Sequence, residues 1–149
     1  MISLQDALAG VHRLGFDTAP VIYFVEAHPR YDALVTEVFQ RVADGVIEGI
    51  TSVITLSEVL VPPLQQGNFR LAQEYRDLLL NSQNFATCSI DPDIAARSAQ
   101  LRVAYGFRTP DALQLATAIA VGCEAFLTND PTLQRVKELP VLVLDDLEL

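Results

Sequence analysis

Short apolar runs alternate with longer helical patterns along this 149-residue chain. "GVHRLGF" (10–16), the stretch Gly49 to Ser52, "FATCSI" (85–90), "EAFLT" (124–128) and "LPVLVLDD" (139–146) are short segments of strand length. In the first, Val11, Leu14 and Phe16 are the apolar positions. Between these runs apolar residues return at i, i+3 and i+4. They do so as Leu34, Val35, Val38, Phe39 and Val42 in "YDALVTEVFQRVADG", and as Leu71, Tyr75, Leu78 and Leu79 in "NFRLAQEYRDLLLNS". Strands separated by helices pair in parallel, because parallel neighbours need a long crossover between them. The pattern predicts an α/β fold with a mainly parallel five-stranded sheet.

Local signals set the expected helix limits. Ser3 with Asp6 three residues on suggests a short capped helix. Pro20 fits the first turn of a helix that "HPR" (28–30) breaks. Gly45 is a stop for the helix over 31–45. The helix carrying Glu58 is expected to end at Pro62 and Pro63. Further helices open near Pro92 and Pro110 and stop near Gly106 and Gly122. Nothing marks a linker or repeat, so residues 1–149 are expected to form one domain.

Composition narrows the function. Half the residues are apolar, enough for a sizeable core. The spacing of Cys88 and Cys123 fits neither a disulfide framework nor a zinc site, and burial as small hydrophobes is expected. No apolar stretch reaches the roughly 18 residues of a membrane span. "MISLQDALAG" lacks the basic start and unbroken apolar run of a secretory signal, so a soluble cytoplasmic protein is expected. Nineteen acids against ten Lys plus Arg give a net charge of −9, which argues against a broad basic nucleic-acid surface. A small cationic rim and a basic partner are both compatible with it. No glycine-rich phosphate loop occurs.

The acids therefore carry the functional question. Ligands of open parallel sheets collect beyond the carboxyl ends of the strands. Asp17 follows the first strand and Asp130 follows the fourth; Glu58 lies in the helix after the second strand, and Asp111 at a helix start between the third and fourth. All four can face one rim. Converging carboxylates raise one another's proton affinity, and a hard divalent cation, Mg²⁺ or Mn²⁺, relieves that conflict. Such an ion can activate water and stabilise charge on a phosphate oxygen, which makes phosphodiester hydrolysis coherent. For Asp111 a plain helix-end role competes, since acids in a first turn favour the helix dipole.

Four stretches resemble a known family. "FDTAPVIYFVE", "TSVITLSEVL", "RTPDALQLATAI" and "FLTND" run in the order found in PIN-domain ribonucleases of the VapC kind, the toxins of bacterial toxin–antitoxin pairs. The resemblance implies an α/β/α sandwich, cleavage of single-stranded or looped RNA, a cognate antitoxin and a homodimer. It implies a shared catalytic and metal-binding role for Asp17, Glu58, Asp111 and Asp130. It favours RNA over DNA as substrate; the residues alone do not separate them, nor do they exclude a phosphatase. A non-catalytic PIN-like binding or assembly protein is the alternative.

Further residues have two readings each. Thr18 can donate near Asp17 or cap the following helix, and Asn129 can orient an acid or water or shape the turn with Thr128. Arg30, Arg102 and Arg108 are candidates for RNA phosphate contacts, or else solvated or acid-paired groups. Asp91 and Asp93 are read as helix-start acids, His12 and His28 form no base–nucleophile pair, and Tyr23 and Phe24 are expected in the core or an interface. The apolar positions of "YDALVTEVF" and "LAQEYRDLLL" can serve either a core or a dimer.

Overall fold

Arg13–Phe16 (β2) pairs in parallel with Glu48–Ser52 (β3) on one side and Ala125–Thr128 (β5) on the other. Phe85–Cys88 (β4) extends the sheet beyond β3, and Val141–Val143 (β6) extends it beyond β5. The order is β4-β3-β2-β5-β6. The chain thus starts at the centre, steps outward to one edge, then returns to the centre and steps to the other. The computed structural model describes residues 1–149. A two-stranded pair, Ile2–Ser3 (β1) with Leu147–Glu148 (β7), ties the two ends of the chain together and was not expected from the sequence.

Helices cover both faces, giving the α/β/α sandwich. Leu4–Ala7 (α1), Thr18–Val25 (α2), Asp32–Ala43 (α3), Val53–Gln66 (α4) and Phe69–Asn81 (α5) bear on one cluster with Leu14, Phe16 and Leu127. Pro92–Tyr105 (α6) and Thr109–Ala120 (α7) bear on the other with Ile50 and Phe126. Alternation along the strands sorts the residues: Leu14 and Phe16 point to the first face, and the intervening Gly15 to the second. Val35, Val38, Phe39, Ala72, Tyr75 and Leu79 all enter the first core, so the periodicity of α3 and α5 is explained by packing. Cys123 is buried and Cys88 half-buried, both as free thiols.

Two expected boundaries move. The first strand begins at Arg13, because Gly10 adopts φ +75° and the Val11 N–H turns back to Leu8 O. Pro62 and Pro63 do not end their helix; they lie inside α4. Proline's fixed φ suits a helix, and what it removes is an N–H and some clearance for the carbonyl four residues earlier. The helix stops at Gly67, whose left-handed φ of +68° lets Asn68 N–H close back on Pro63 O at 2.8 Å.

The central contact is α7 against β2. A Cβ on Gly15 would lie 2.9 Å from Phe126 Cδ1 and 3.0 Å from Ala118 Cβ. Neither neighbour is a free chain end; both are buried. Gly15→Ala is therefore expected to destabilise by about 1–3 kcal/mol, the usual cost of overpacking. The check is the urea midpoint at unchanged m value, and a midpoint equal to that of the parent would contradict the close approach.

Candidate active site

The sheet order reverses between β2 and β5, and beyond the carboxyl ends of such strands open parallel sheets collect their ligands. Asp17 stands there. Its backbone N–H donates to Leu127 O at 2.9 Å, carrying the β2–β5 ladder one residue past the strand. Its side-chain Oδ1 accepts the Thr18 N–H at 2.9 Å and caps α2. Oδ2 accepts the Thr128 hydroxyl at 2.7 Å. The same hydroxyl oxygen accepts the Asp130 N–H at 3.0 Å. Thr128 thus fixes Asp17 and the turn that carries Asp130 at once.

The other acids arrive on different elements. Glu58 lies in the second turn of α4, and its Oε1 accepts the Thr18 hydroxyl at 2.7 Å. Asp111 is the third residue of α7, a helix whose start has no side-chain cap. Its carboxylate faces Arg108 instead, with Nε–Oδ2 at 3.1 Å and Nη2–Oδ1 at 3.5 Å. Asp130 Oδ1 caps the short 3₁₀ helix Pro131–Arg135 through the Thr132 N–H and hydroxyl, at 3.0 and 2.8 Å.

Electrostatics tie the four together. Burial holds the Asp17 carboxyl above its ordinary proton affinity; bonds from Thr128 and Thr18 oppose this, and the charges of Asp111 and Glu58 add to it. Arg108 is held more firmly protonated, first by its bond to Asp111 and then by the charges of Asp111, Asp130 and Glu58. Thr18 links Asp17 with Glu58, Thr128 links Asp17 with Asp130, and Arg108 stands against Asp111. The donor chemistry suits a hard divalent cation, since every group is an oxygen acceptor. As the side chains stand, no three His, Cys, Asp or Glu residues close onto one point. Asp111 is drawn to Arg108, Glu58 to Thr18, and Asp130 to its own cap.

Thr18 does not cap α2; Asp17 does, which leaves the Thr18 hydroxyl free for Glu58. Asn129 touches none of the acids. It donates to the Tyr23 hydroxyl and accepts the Asp145 N–H, both at 3.3 Å, joining the turn to the C-terminal segment. Arg108 is the cation of the mouth. Arg30 pairs with Asp145 at 3.1 Å, and Arg102 reaches back to Phe107 O at 3.4 Å beyond the end of α6. Asp91 caps α6 through Ile94 N–H at 2.8 Å. Sequence reasoning missed Gln114, which is 3% exposed and bonds to Ser52, Thr55 and Thr18. The signal was present: one amide inside the otherwise apolar "ALQLA", one turn past Asp111.

Residues 16–139 match the family model of the PIN domain. The chain belongs to the PIN-domain family. Solved structures share the fold of this PIN domain. A chain of a toxin–antitoxin complex from Klebsiella pneumoniae is 27% identical, with a TM-score of 0.66 over 89% of this chain and 97% of that one. A chain of VapBC2 from Rickettsia felis, bound to a DNA fragment from its promoter, gives 0.70 at 17% identity, covering 88% and 98%. DNA-bound VapBC from Salmonella typhimurium gives 0.67 at 13% identity, covering 90% and 98%. A search of curated proteins returned no significant match.

The burial of Asp17 has a consequence for stability. Its folded proton affinity is raised, so the native state keeps a proton that the unfolded chain has lost. Stability from this group is full below the ordinary carboxylate range and falls as pH rises through the folded value. Above that value its charge is a standing cost. Asp17→Asn removes this titration but sets an amide NH₂ against the Thr128 hydroxyl, so the expected signature is a trend: the parent's midpoint relative to the variant falls as pH rises from 4 to 7. Melting curves across that range check this, and a constant or rising difference would contradict it.

Proposed function

We propose that this PIN domain is a divalent-cation-dependent endoribonuclease, the toxin of a toxin–antitoxin pair acting in the cytoplasm. The observation that carries the reading is a chain of contacts: Thr18 bonds both Asp17 and Glu58, Thr128 bonds Asp17 and the Asp130 N–H, and Asp111 pairs with Arg108. Burial and neighbouring acids hold Asp17 against its own ionisation. The four acids would hold Mg²⁺ or Mn²⁺, which when bound supplies charge neutralisation and activation of water. Thr128 and Thr18 keep Asp17 and Glu58 oriented, while Asn129 steadies the turn before Asp130. Arg108, 79% exposed at the mouth, meets a phosphodiester entering it, and Arg30 and Arg102 extend the cationic contacts along the RNA.

The toxin assignment is supported by likeness to chains of toxin–antitoxin complexes and by the charge of −9. An antitoxin with an Arg- or Lys-bearing segment fits the acidic mouth by complementarity. A homodimer belongs to the same proposal. No helix is long and apolar enough to cross a membrane. One observation favours a second reading, a non-catalytic binding or assembly protein: Asp111 and Asp130 already have structural partners in Arg108 and Thr132.

Asp111→Asn separates the two. Asn keeps the shape and removes the charge. The nuclease reading expects a folded variant, by circular dichroism, that cleaves RNA about 100-fold or more slowly at saturating Mn²⁺. Near-parental cleavage would take Asp111 out of the catalytic set. Absence of metal-dependent cleavage in the folded parent would favour the binding protein. Arg108→Gln is expected to weaken RNA binding and flatten its salt dependence by about one phosphate contact, measured by titration at several salt concentrations. An unchanged slope would place Arg108 off the RNA path.

A further inference from the structure

The hydroxyls and amide behind the mouth form one network, and counting protons fixes its direction. A hydroxyl has one proton to give. Thr51 gives its proton to the Phe16 carbonyl at 2.8 Å. The 2.8 Å contact between Thr51 and Thr55 therefore carries the Thr55 proton. Ser52 receives the Ile54 N–H at 3.1 Å and gives its own proton to Gln114 Oε1 at 2.5 Å. That sets the amide with Nε2 outward, one proton on Thr55 at 2.6 Å and one on Thr18 at 3.2 Å. Thr18 then has a choice of acceptors, Thr55 at 3.1 Å or the Glu58 carboxylate at 2.7 Å. Thr55 is already supplied by Gln114, so the Thr18 proton goes to the nearer, charged group. No buried side-chain N or O atom in the protein lacks a partner, so the network is complete.

We propose that Gln114 is a positioning residue of this site: its buried amide supplies Thr55 and Thr18 together, and so reserves the Thr18 hydroxyl for holding Glu58 at the mouth. Gln114 is 3% exposed among Ala112, Leu115 and Ala116, where an apolar side chain would be the ordinary occupant. An amide in such a place is costly unless every bond is made. A structural role would be satisfied by any closed network; this one ends on one of the four acids. The proposal rests on the nuclease reading only where it concerns metal and catalysis. The coupling of Gln114 to Glu58 is a property of the metal-free protein.

The test has a metal-free arm and a metal arm. In the first, side-chain NMR couplings of Glu58 are measured in the parent, Gln114→Leu, Thr18→Val and Thr18→Ser. One Glu58 rotamer is expected in the parent and in Thr18→Ser, which keeps the hydroxyl, and averaging in the other two. Gln114→Met, nearer the native shape, keeps the arm open if Gln114→Leu does not fold, while Thr18→Val checks that the hydroxyl is what holds Glu58. A single Glu58 rotamer in a folded Gln114→Leu or Gln114→Met protein, or in Thr18→Val, overturns the proposal. In the second arm, calorimetric Mn²⁺ affinity is expected to fall about tenfold in Gln114→Leu and in Thr18→Val, the scale of a lost outer-shell bond. The double variant should be no weaker than Thr18→Val alone, because both act through one hydroxyl. Additive losses overturn the shared route. If the parent binds no Mn²⁺, the nuclease reading fails, and the first arm still decides the role of Gln114.

Discussion

Parallel neighbours cannot be joined by a hairpin, so β2 and β5 meet only after most of the chain has wound around them. Their pairing depends on the missing side chain of Gly15, which lets Phe126 and α7 close over the sheet centre. From that pairing the rest follows. It puts Asp17 and Asp130 on either side of Thr128 and seats α7 so that Gln114 reaches Thr18. A shift of one residue in the β2–β5 register would turn Leu14 and Phe16 out of the first core. The site and the core therefore depend on the same register.

The mouth also shows how a fold holds like charges together without collapsing. Each carboxylate has at least one donor: Thr18 N–H and Thr128 for Asp17, the Thr18 hydroxyl for Glu58, Arg108 for Asp111, Thr132 for Asp130. Two of these five donors, from Arg108 and Thr132, are exposed, and three, the Thr18 N–H and hydroxyl and the Thr128 hydroxyl, are built into α2 and β5. Asp17 is the group most fully committed, being half-buried and bonded on both oxygens. Asp111 is held by a guanidinium on an exposed, movable side chain. The charge that is costly to the fold is thus the one that is fixed, and the charge at the entrance is the one that can be released.

Part of this was legible in the residues. The α/β class, the sheet with five strands and the periods of α3 and α5 follow from spacing, because burial on one face imposes a period whatever the partner. The order "FDTAPVIYFVE", "TSVITLSEVL", "RTPDALQLATAI", "FLTND" put Asp17 and Asp130 after strands, Glu58 inside a helix and Asp111 at a helix start. One expected helix end failed for a local reason. Pro62 and Pro63 looked like a stop, yet a helix loses only a donor and some clearance at a proline, and α4 runs on to Gly67. Asn129 had two readings, orienting an acid or shaping the turn, and its amide bonds to Tyr23 and the Asp145 backbone, which only the packed turn sets.

By itself the sequence determined which side chains were available and on which elements: apolar stripes for two cores, glycines where the sheet and helix approach, and four acids placed after strands or on helices. Those are properties of spacing, and spacing is read along the chain. The tertiary structure alone decided which polar groups meet. Thr18 and Glu58, Ser52 and Gln114, and Thr128 and Asp17 are bonded across long separations in the chain. A hydrogen bond is fixed within a few tenths of an ångström, and nothing in a periodic pattern sets positions that finely. Only the packed sheet, with α4 and α7 seated against it, brings those groups to bonding distance and decides which carboxylate each donor serves.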